Sequence, residues 1–344
     1  MQAPRTPRLV STMLQEYGAL TRASLKEYLP SWEPRRHLYD LVADYPLRGG
    51  KMMRPSLCIA TARAFGAQLE EALLTAVSIE LLHNALLIHD DIEDGSEERR
   101  GQPTLHAQYG IPLALNVGDA LTLLSFRPLI DNMGRIGSRL TLRILEEAER
   151  MARESAEGQA LDLGWRYDNT TDLDERDYLE MVLKKTCWLA TIYPSRVGAL
   201  IGTRDGVDLD AFLRFGFFLG AAFQIQDDLL NLEADERYGK EANGDLWEGK
   251  RTLMLIRLFR QAAPDEYRRL VQLLQLSREQ RTITEVNWIR SLMDVYDCLP
   301  YARQIAHGLA GAALHEYSLL YVNVPDSRDK HFIEGLVTWV FERS

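Results

Sequence analysis

Apolar side chains recur at intervals of three and four through Ala72 to Ile88, Pro112 to Leu129, Leu140 to Ala152, Tyr178 to Ile201, Leu209 to Leu232 and Thr252 to Arg260. That spacing keeps them on one face of a helix, so each segment is predicted to be helical. Leu73 to Ile88 and Leu209 to Leu232 are apolar nearly all round, which marks helices enclosed by others rather than lying on a surface. No stretch alternates apolar and polar positions between hairpin turns, so the α/β and all-β classes are excluded and an all-α fold is expected. Gly95 to Pro103, Tyr167 to Asp174 and Glu233 to Lys250 read as loops. The first and third directly follow the two enclosed helices.

Composition adds little to this picture and contradicts none of it. The chain has 344 residues, 46% apolar and 26% charged, with no compositional break, linker or internal repeat, so a single domain over 1–344 is expected. A formal net charge of −10 argues against nucleic acid as a partner, because phosphate backbones demand a broad basic surface. Cys58, Cys187 and Cys298 are scattered among apolar neighbours and read as reduced core residues. Residues Met1 to Leu20 lack a signal-peptide core, and apolar runs elsewhere break before the ~20 residues that cross a bilayer. No membrane span and a cytosolic location are the expectations.

Chemistry enters at Asp90-Asp91-Ile92-Glu93-Asp94, directly after the apolar run Ala85 to Ile88. Asp90 and Asp94 are four apart and share one helix face, an arrangement suited to Mg²⁺, a hard ion that takes oxygen ligands and bridges to phosphates. Taken alone, this is as well read as a solvated acidic helix end. A second acid pair, Asp227-Asp228, follows the enclosed run Phe223 to Gln226, with Asn231 four residues beyond Asp227. Two acidic helix ends facing one another would hold a metal cluster, and a metal cluster implies a polyanion such as diphosphate. Basic residues supply the complement: Gly49-Gly50-Lys51-Met52-Met53-Arg54-Pro55, Arg99-Arg100-Gly101, Lys184-Lys185-Thr186, Gly239-Lys240 and Lys250.

From Gly49 through Lys250 the sequence resembles the trans-isoprenyl diphosphate synthases, or polyprenyl synthetases. The residues that carry the likeness occur in order: Gly-Gly-Lys-x-x-Arg-Pro, both aspartate motifs, Arg99-Arg100-Gly101-x-Pro103-Thr104-x-His106, Lys185-Thr186, Gln224 and Asp245-x-x-x-Gly249-Lys250-x-Thr252. The closing stretch Phe332 to Glu342 also fits. The resemblance implies a bundle of antiparallel helices around a deep central cavity, three Mg²⁺ ions with substrate bound, and a homodimer. It implies that Asp90 and Asp94 hold two of the ions and Asp227 the third, with Asp91 and Asp228 beside them as further candidate ligands. It implies that Lys51, Arg54, His83 and Arg100 bind the diphosphate of isopentenyl diphosphate. Arg99, Lys185, Thr186, Gln224, Lys240 and Lys250 would meet that of the allylic prenyl diphosphate; for His83 a satisfied histidine inside a helix is an equal reading. Asn231 departs from the family pattern, where many members carry a third aspartate; altered hydrogen bonding around the ligands is expected, not lost activity.

The reaction needs no protein nucleophile. An allylic diphosphate ionises at C1, fixed cations and metals stabilise the departing diphosphate, the double bond of isopentenyl diphosphate attacks, and a proton leaves to the departing group. The loops after Gly95 and Glu233 are expected to close over the site and exclude water. The growing chain should run along the helix that ends in Asp90, where a turn of about 5.4 Å gauges roughly one isoprene unit. Neither Ala85 nor Leu86 is aromatic, so the chain should pass their level toward Leu82, with Phe126 a candidate floor. A twenty-carbon product is favoured over fifteen or twenty-five carbons. The competing readings are a terpene cyclase, a non-catalytic subunit and a di-iron protein. The cyclase would not need Lys51, Arg54 and Arg100; the subunit would have eroded aspartate motifs; the di-iron protein would need a second Glu-x-x-His beyond Glu80 to His83.

Overall fold

The computed structural model describes residues 6–233 and 243–342. In chain order its main helices are α1 (Thr6–Lys26), α2 (Met53–Ala64), α3 (Leu69–Asp94), α4 (Ile111–Leu124), α5 (Phe126–Ile136), α6 (Ser138–Tyr167), α7 (Glu175–Val182), α8 (Tyr193–Thr203), α9 (Phe212–Glu233), α10 (Leu253–Gln261), α11 (Pro264–Leu274), α12 (Ile283–Val295), α13 (Cys298–Leu320) and α14 (Arg328–Glu342). Between α7 and α8 the residues Leu183–Ile192 continue the helix with wider, π-type turns. The fold is an all-α single domain, as the apolar periodicity predicts.

The ends of α3 explain where its acids fall. Gln68 and Glu71 cap the first turn reciprocally, the Gln68 amide donating to Glu71 Oε2 at 2.8 Å. Gly95 stops the helix in the left-handed conformation (φ 63°), which only a residue without Cβ adopts at no cost. Asp90 and Asp94 therefore occupy the last turns. α3 packs against α1, α2, α4, α5 and α8. Its Val77, Leu81, Ala85 and Ile88 enter a small core shared with Val117 and Leu121 of α4, while Ala76 and Ile79 enter the main core. α9 is likewise enclosed, by α13, α14, α7 and Leu183–Ile192. Near-uniform apolarity is what such surroundings require.

The structure departs from the sequence reading in places. The predicted helix Pro112 to Leu129 is divided at Ser125 into α4 and α5. The loop after Gly95 contains a hairpin, Glu98–Arg99 paired antiparallel with Gln102–Pro103, where no strand was expected. Its turn is Arg100-Gly101, both with positive φ, the geometry whose twist matches that of paired strands. α1, α2 and α11 to α13 are not among the segments that the pattern predicts. Leu69–Asp94 and Ile111–Ile136 are both long and apolar enough to cross a membrane by length and composition, contrary to expectation; the first is mostly buried within the bundle.

Candidate active site

α3 and α9 face each other across a cavity of about 790 Å³, with α6 and Leu183–Ile192 closing its sides. Part of its lining is apolar: Leu86 and Leu87 from α3, Phe223 from α9, Leu189, and the small Ala152 and Ala156 of α6. The rest is largely charged or polar. Asp90 and Asp227 stand on opposite walls, accompanied by Lys51, Arg54, His83, Arg99, Arg100, Lys185, Thr186, Gln224 and Lys250. Asp94 lies one turn beyond, lining a small adjoining pocket with Asp90, Arg99, Asn231, Asp245, Glu248 and Lys250.

The second acid of each pair turns away from the cavity. Asp91 is fully buried: Tyr45 donates its hydroxyl at 2.5 Å, and Arg99 donates Nε at 2.9 Å with Nη2 on the same oxygen. Asp228 accepts from Tyr178 at 2.8 Å and from Gln224 Nε2 at 2.7 Å, while Gln224 Oε1 accepts from Thr186 at 2.8 Å. Each carboxylate spends its lone pairs holding a neighbour in place. Asp91 and Asp228, expected as further candidate ligands, are committed to these internal hydrogen bonds, whereas Asp90 and Asp227 line the cavity.

The cations form two groups. Lys185 Nζ lies 2.6 Å from Asp162 and 3.5 Å from Asp90, and Lys250 lies 3.6 Å from Asp245 and 3.7 Å from Asp228. Burial alone would pull the Lys185 amine down, but Asp162 and Asp90 outweigh it and hold the amine above the ordinary lysine range. Burial likewise opposes a charged Asp90, which Lys185, Arg99 and Lys250 nevertheless keep below the usual carboxylate value. On the other side, Arg54 Nη1 meets His83 Nε2 at 3.3 Å, Lys51 sits 5.8 Å from the ring centre of Trp339, and Arg100 donates to the Tyr45 carbonyl at 3.2 Å. A Cβ on Gly50 would stand only 3.0 Å from the Arg100 guanidinium, so glycine there admits the arginine. Burial, followed by Arg54, Arg100 and Arg99, holds the His83 imidazole well below its usual value, so the ring is neutral at physiological pH.

The chain-length expectations fare unevenly. Leu86 lines the cavity, but Ala85 and Leu82 do not: Ala85 points into the small core against α4, and Leu82 into the main core. Phe126 is 40% exposed at the start of α5 and is no floor. Lys240 lies outside the described residues. Asn231 accepts the Asp245 amide at 3.0 Å through its side chain and the Asn243 amide at 3.0 Å through its carbonyl, so it shapes the turn that presents Glu248 and Lys250.

Sequence reading missed the contribution of α6. Asp162 anchors Lys185, Arg166 reaches Asp94 at 2.7 Å, and Gln159 reaches Asp90 at 3.4 Å. Gly158 allows this closeness, since a Cβ there would fall 2.1 Å from the Lys185 amide nitrogen. The signal available was Gly158-Gln159 with Asp162 one turn on, polar positions on a single helix face. Arg48 was also missed; it pins the hairpin through the carbonyls of Arg99 at 3.1 Å and Pro103 at 2.8 Å.

Among the described residues no three histidine, cysteine or carboxylate side chains converge to form a closed metal cage. Asp90 and Asp94 on one wall and Asp227 on the other are instead separate oxygen rims. That donor set fits a hard ion such as Mg²⁺, which keeps waters and joins one or two carboxylates to substrate phosphates.

A helical bundle whose cavity combines an apolar lining with carboxylates and cations suits an amphipathic anion. The polyprenyl synthetase family model matches residues 36–293. A geranylgeranyl pyrophosphate synthase of Geoglobus acetivorans is 30% identical over 337 residues, covering 97% of this chain and 99% of its own. An octaprenyl diphosphate synthase of Escherichia coli is 31% identical over 299 residues, 86% of each chain. Among solved structures, a polyprenyl synthase of Caulobacter crescentus complexed with calcium and isoprenyl diphosphate has a TM-score of 0.84 at 28% identity, covering 100% of this chain and 99% of its own. The chain belongs to the polyprenyl synthetase family, and its activity is that of a trans-prenyl diphosphate synthase.

Proposed function

We propose that the protein condenses isopentenyl diphosphate head to tail with allylic prenyl diphosphates, with Mg²⁺, to make all-E geranylgeranyl diphosphate. The observation that supports the product size is the cavity of about 790 Å³ beside Asp90, lined by Leu86, Leu87, Leu189 and Phe223 with the small Ala152 and Ala156, and with no aromatic residue at positions 85 and 86 of α3. Asp90, Asp94 and Asp227 are the residues that would hold the metal ions. When bound, Mg²⁺ neutralises the diphosphate and favours its departure. Arg99, Lys185 and Lys250 face the leaving oxygens with charges already oriented by Asp91, Asp162 and Asp245, so little reorganisation accompanies bond breaking. Thr186 and Gln224 add hydrogen bonds to the same group, and Lys51, Arg54 and Arg100 take the diphosphate of isopentenyl diphosphate. A neutral His83 beside Arg54 is free of charge repulsion with those arginines and presents a ring nitrogen to an anion. The C1–O bond breaks, the new C–C bond forms at C1, and the proton lost from isopentenyl diphosphate goes to the departing diphosphate.

The test incubates the enzyme with Mg²⁺, labelled isopentenyl diphosphate and, separately, dimethylallyl, geranyl and farnesyl diphosphates, and sizes the dephosphorylated products. Geranylgeraniol as the main product supports the reading; chains of forty carbons overturn its product size, and label left unincorporated overturns the reaction. The assembly proposed is a homodimer, because Ile111, Leu115, Leu123, Ile130, Met133 and Leu142 are exposed on neighbouring helices α4, α5 and α6, and a monomer rarely leaves such a face open. Phe126 belongs to this face. With α3 enclosed and this face covered by a second copy, neither long apolar helix requires a bilayer, in keeping with a cytosolic enzyme. Sedimentation of the wild type and of Leu123→Glu tests the dimer.

A further inference from the structure

Arg166 belongs to none of the motifs through which the site is recognised, yet its guanidinium lies among the carboxylates. From α6 it crosses to α3 and donates Nη2 to Asp94 at 2.7 Å, while standing 3.8 Å from Asp162 one turn back on its own helix. Lys185 continues the pattern, 2.6 Å from Asp162 and 3.5 Å from Asp90. Acid and base thus alternate along a row: Asp90, Lys185, Asp162, Arg166, Asp94. The row begins and ends on the two carboxylates of the first aspartate motif. Its middle member, Asp162, is buried behind the cavity wall.

An incidental ion pair does not account for this arrangement. Arg166 and Asp94 side chains are 13% and 10% exposed, so both charges are largely withdrawn from water, which is costly unless each is matched. The matching is incomplete in an informative way. Arg166 Nε is buried with no hydrogen-bond partner, and so is Asp162 Oδ1. An unused acceptor therefore waits one turn behind a guanidinium that is now committed to Asp94.

We propose that Arg166 is a resident cation of the metal site. It neutralises Asp94 while no divalent ion is bound, yields that carboxylate when one arrives, and falls back on Asp162, so that it sets how much free Mg²⁺ the enzyme requires. The inference rests on Asp94 being a metal ligand, as proposed above. Without Arg166, Asp94 loses the cation bonded to it and its repulsion with Asp90 is less well offset, while an ion arriving at Asp94 meets no guanidinium competing for that carboxylate.

The experiment follows the melting temperature of the full-length protein in EDTA and across a Mg²⁺ titration with inorganic pyrophosphate, for the wild type, Arg166→Gln, Arg166→Lys and Asp94→Asn. Arg166→Gln is expected to melt lower in EDTA and to reach half-saturation at Mg²⁺ concentrations about tenfold lower, the order set by one fixed charge a few ångströms away in a partly screened site. Arg166→Lys, which keeps the charge without the fork, is expected between the two, and it provides the reading if Arg166→Gln fails to fold. An unchanged or raised half-saturation in both arginine variants, with the Mg²⁺ response lost in Asp94→Asn, overturns the role of Arg166 alone. A Mg²⁺ response that survives in Asp94→Asn overturns the ligand assignment, and this inference with it.

Discussion

Replacing Asp162 with asparagine preserves the shape of the side chain and removes one charge. In the wild type this carboxylate is 1% exposed and lies 2.6 Å from Lys185 and 3.8 Å from Arg166. Burial opposes its charged form, but Lys185, Arg166 and Lys250 together prevail and hold the carboxyl at about 2, against 3.8 for an ordinary aspartate. At about 1.4 kcal/mol for each tenfold change in proton affinity, the difference stabilises the folded state by about 2–3 kcal/mol at neutral pH. Breaking a buried pair on one side costs up to roughly 5 kcal/mol, because the orphaned Lys185 and Arg166 remain. The smaller figure is a floor, and in a chain of this size it lowers the melting temperature by roughly 3–6 °C. The sign follows from linkage. A depressed carboxyl pKa gives stability that is complete above 3.8 and is lost as pH falls through about 2. The gap between wild type and Asp162→Asn should therefore hold constant from neutral pH to about pH 5 and narrow below about pH 4. Urea unfolding in EDTA at a series of pH values measures it. The double variant Asp162→Asn, Lys185→Met should recover part of the loss, since it removes the orphaned cation as well. An Asp162→Asn protein as stable as the wild type at pH 7, or a gap that widens on acidification, would refute the argument that Lys185 is anchored electrostatically.

The remaining predictions concern pH, product size and packing. Burial, with neighbouring acids adding to it, pushes Glu248 up to about 8 and Asp94 and Asp228 up to about 6, so between pH 5 and 8 the folded, metal-free protein holds more protons than the unfolded chain and should lose stability as pH rises; denaturation in EDTA that showed rising stability over that window would contradict the assignment. Leu86→Phe should shorten the main product by about one isoprene unit, since each helix turn spans about 5.4 Å. Ala85→Phe should instead destabilise the fold by roughly 1–3 kcal/mol or more, because Ala85 is buried against α4 and not open to the cavity; product chromatography and melting curves separate the two. Gly158→Ala places a Cβ 2.1 Å from the Lys185 amide and should lower both stability and turnover, whereas normal behaviour in both would show that α6 can draw back.

What the sequence determined by itself was whatever is local or periodic. The two enclosed helices were legible because burial on every side leaves no polar face, and the aspartate motifs were legible because they interrupt those helices abruptly. The cation motifs were recognisable for a related reason: Gly49-Gly50 and Arg100-Gly101 need backbone conformations that few residues adopt, so their identities carry geometry. The tertiary structure decided which member of each acid pair faces the cavity. Asp90 and Asp91 are equivalent in a sequence, and only packing against Tyr45 and Arg99 makes one of them an internal strut. It decided that Ala85 faces α4 while Leu86 faces the cavity, a matter of helix rotation that adjacent positions cannot express when both faces are buried. It also brought in α6, whose Asp162 and Arg166 lie more than sixty residues from Asp90 and Asp94 along the chain yet complete the row of charges between them. Periodicity reports which face of a helix is buried; which partner that face meets depends on long-range packing.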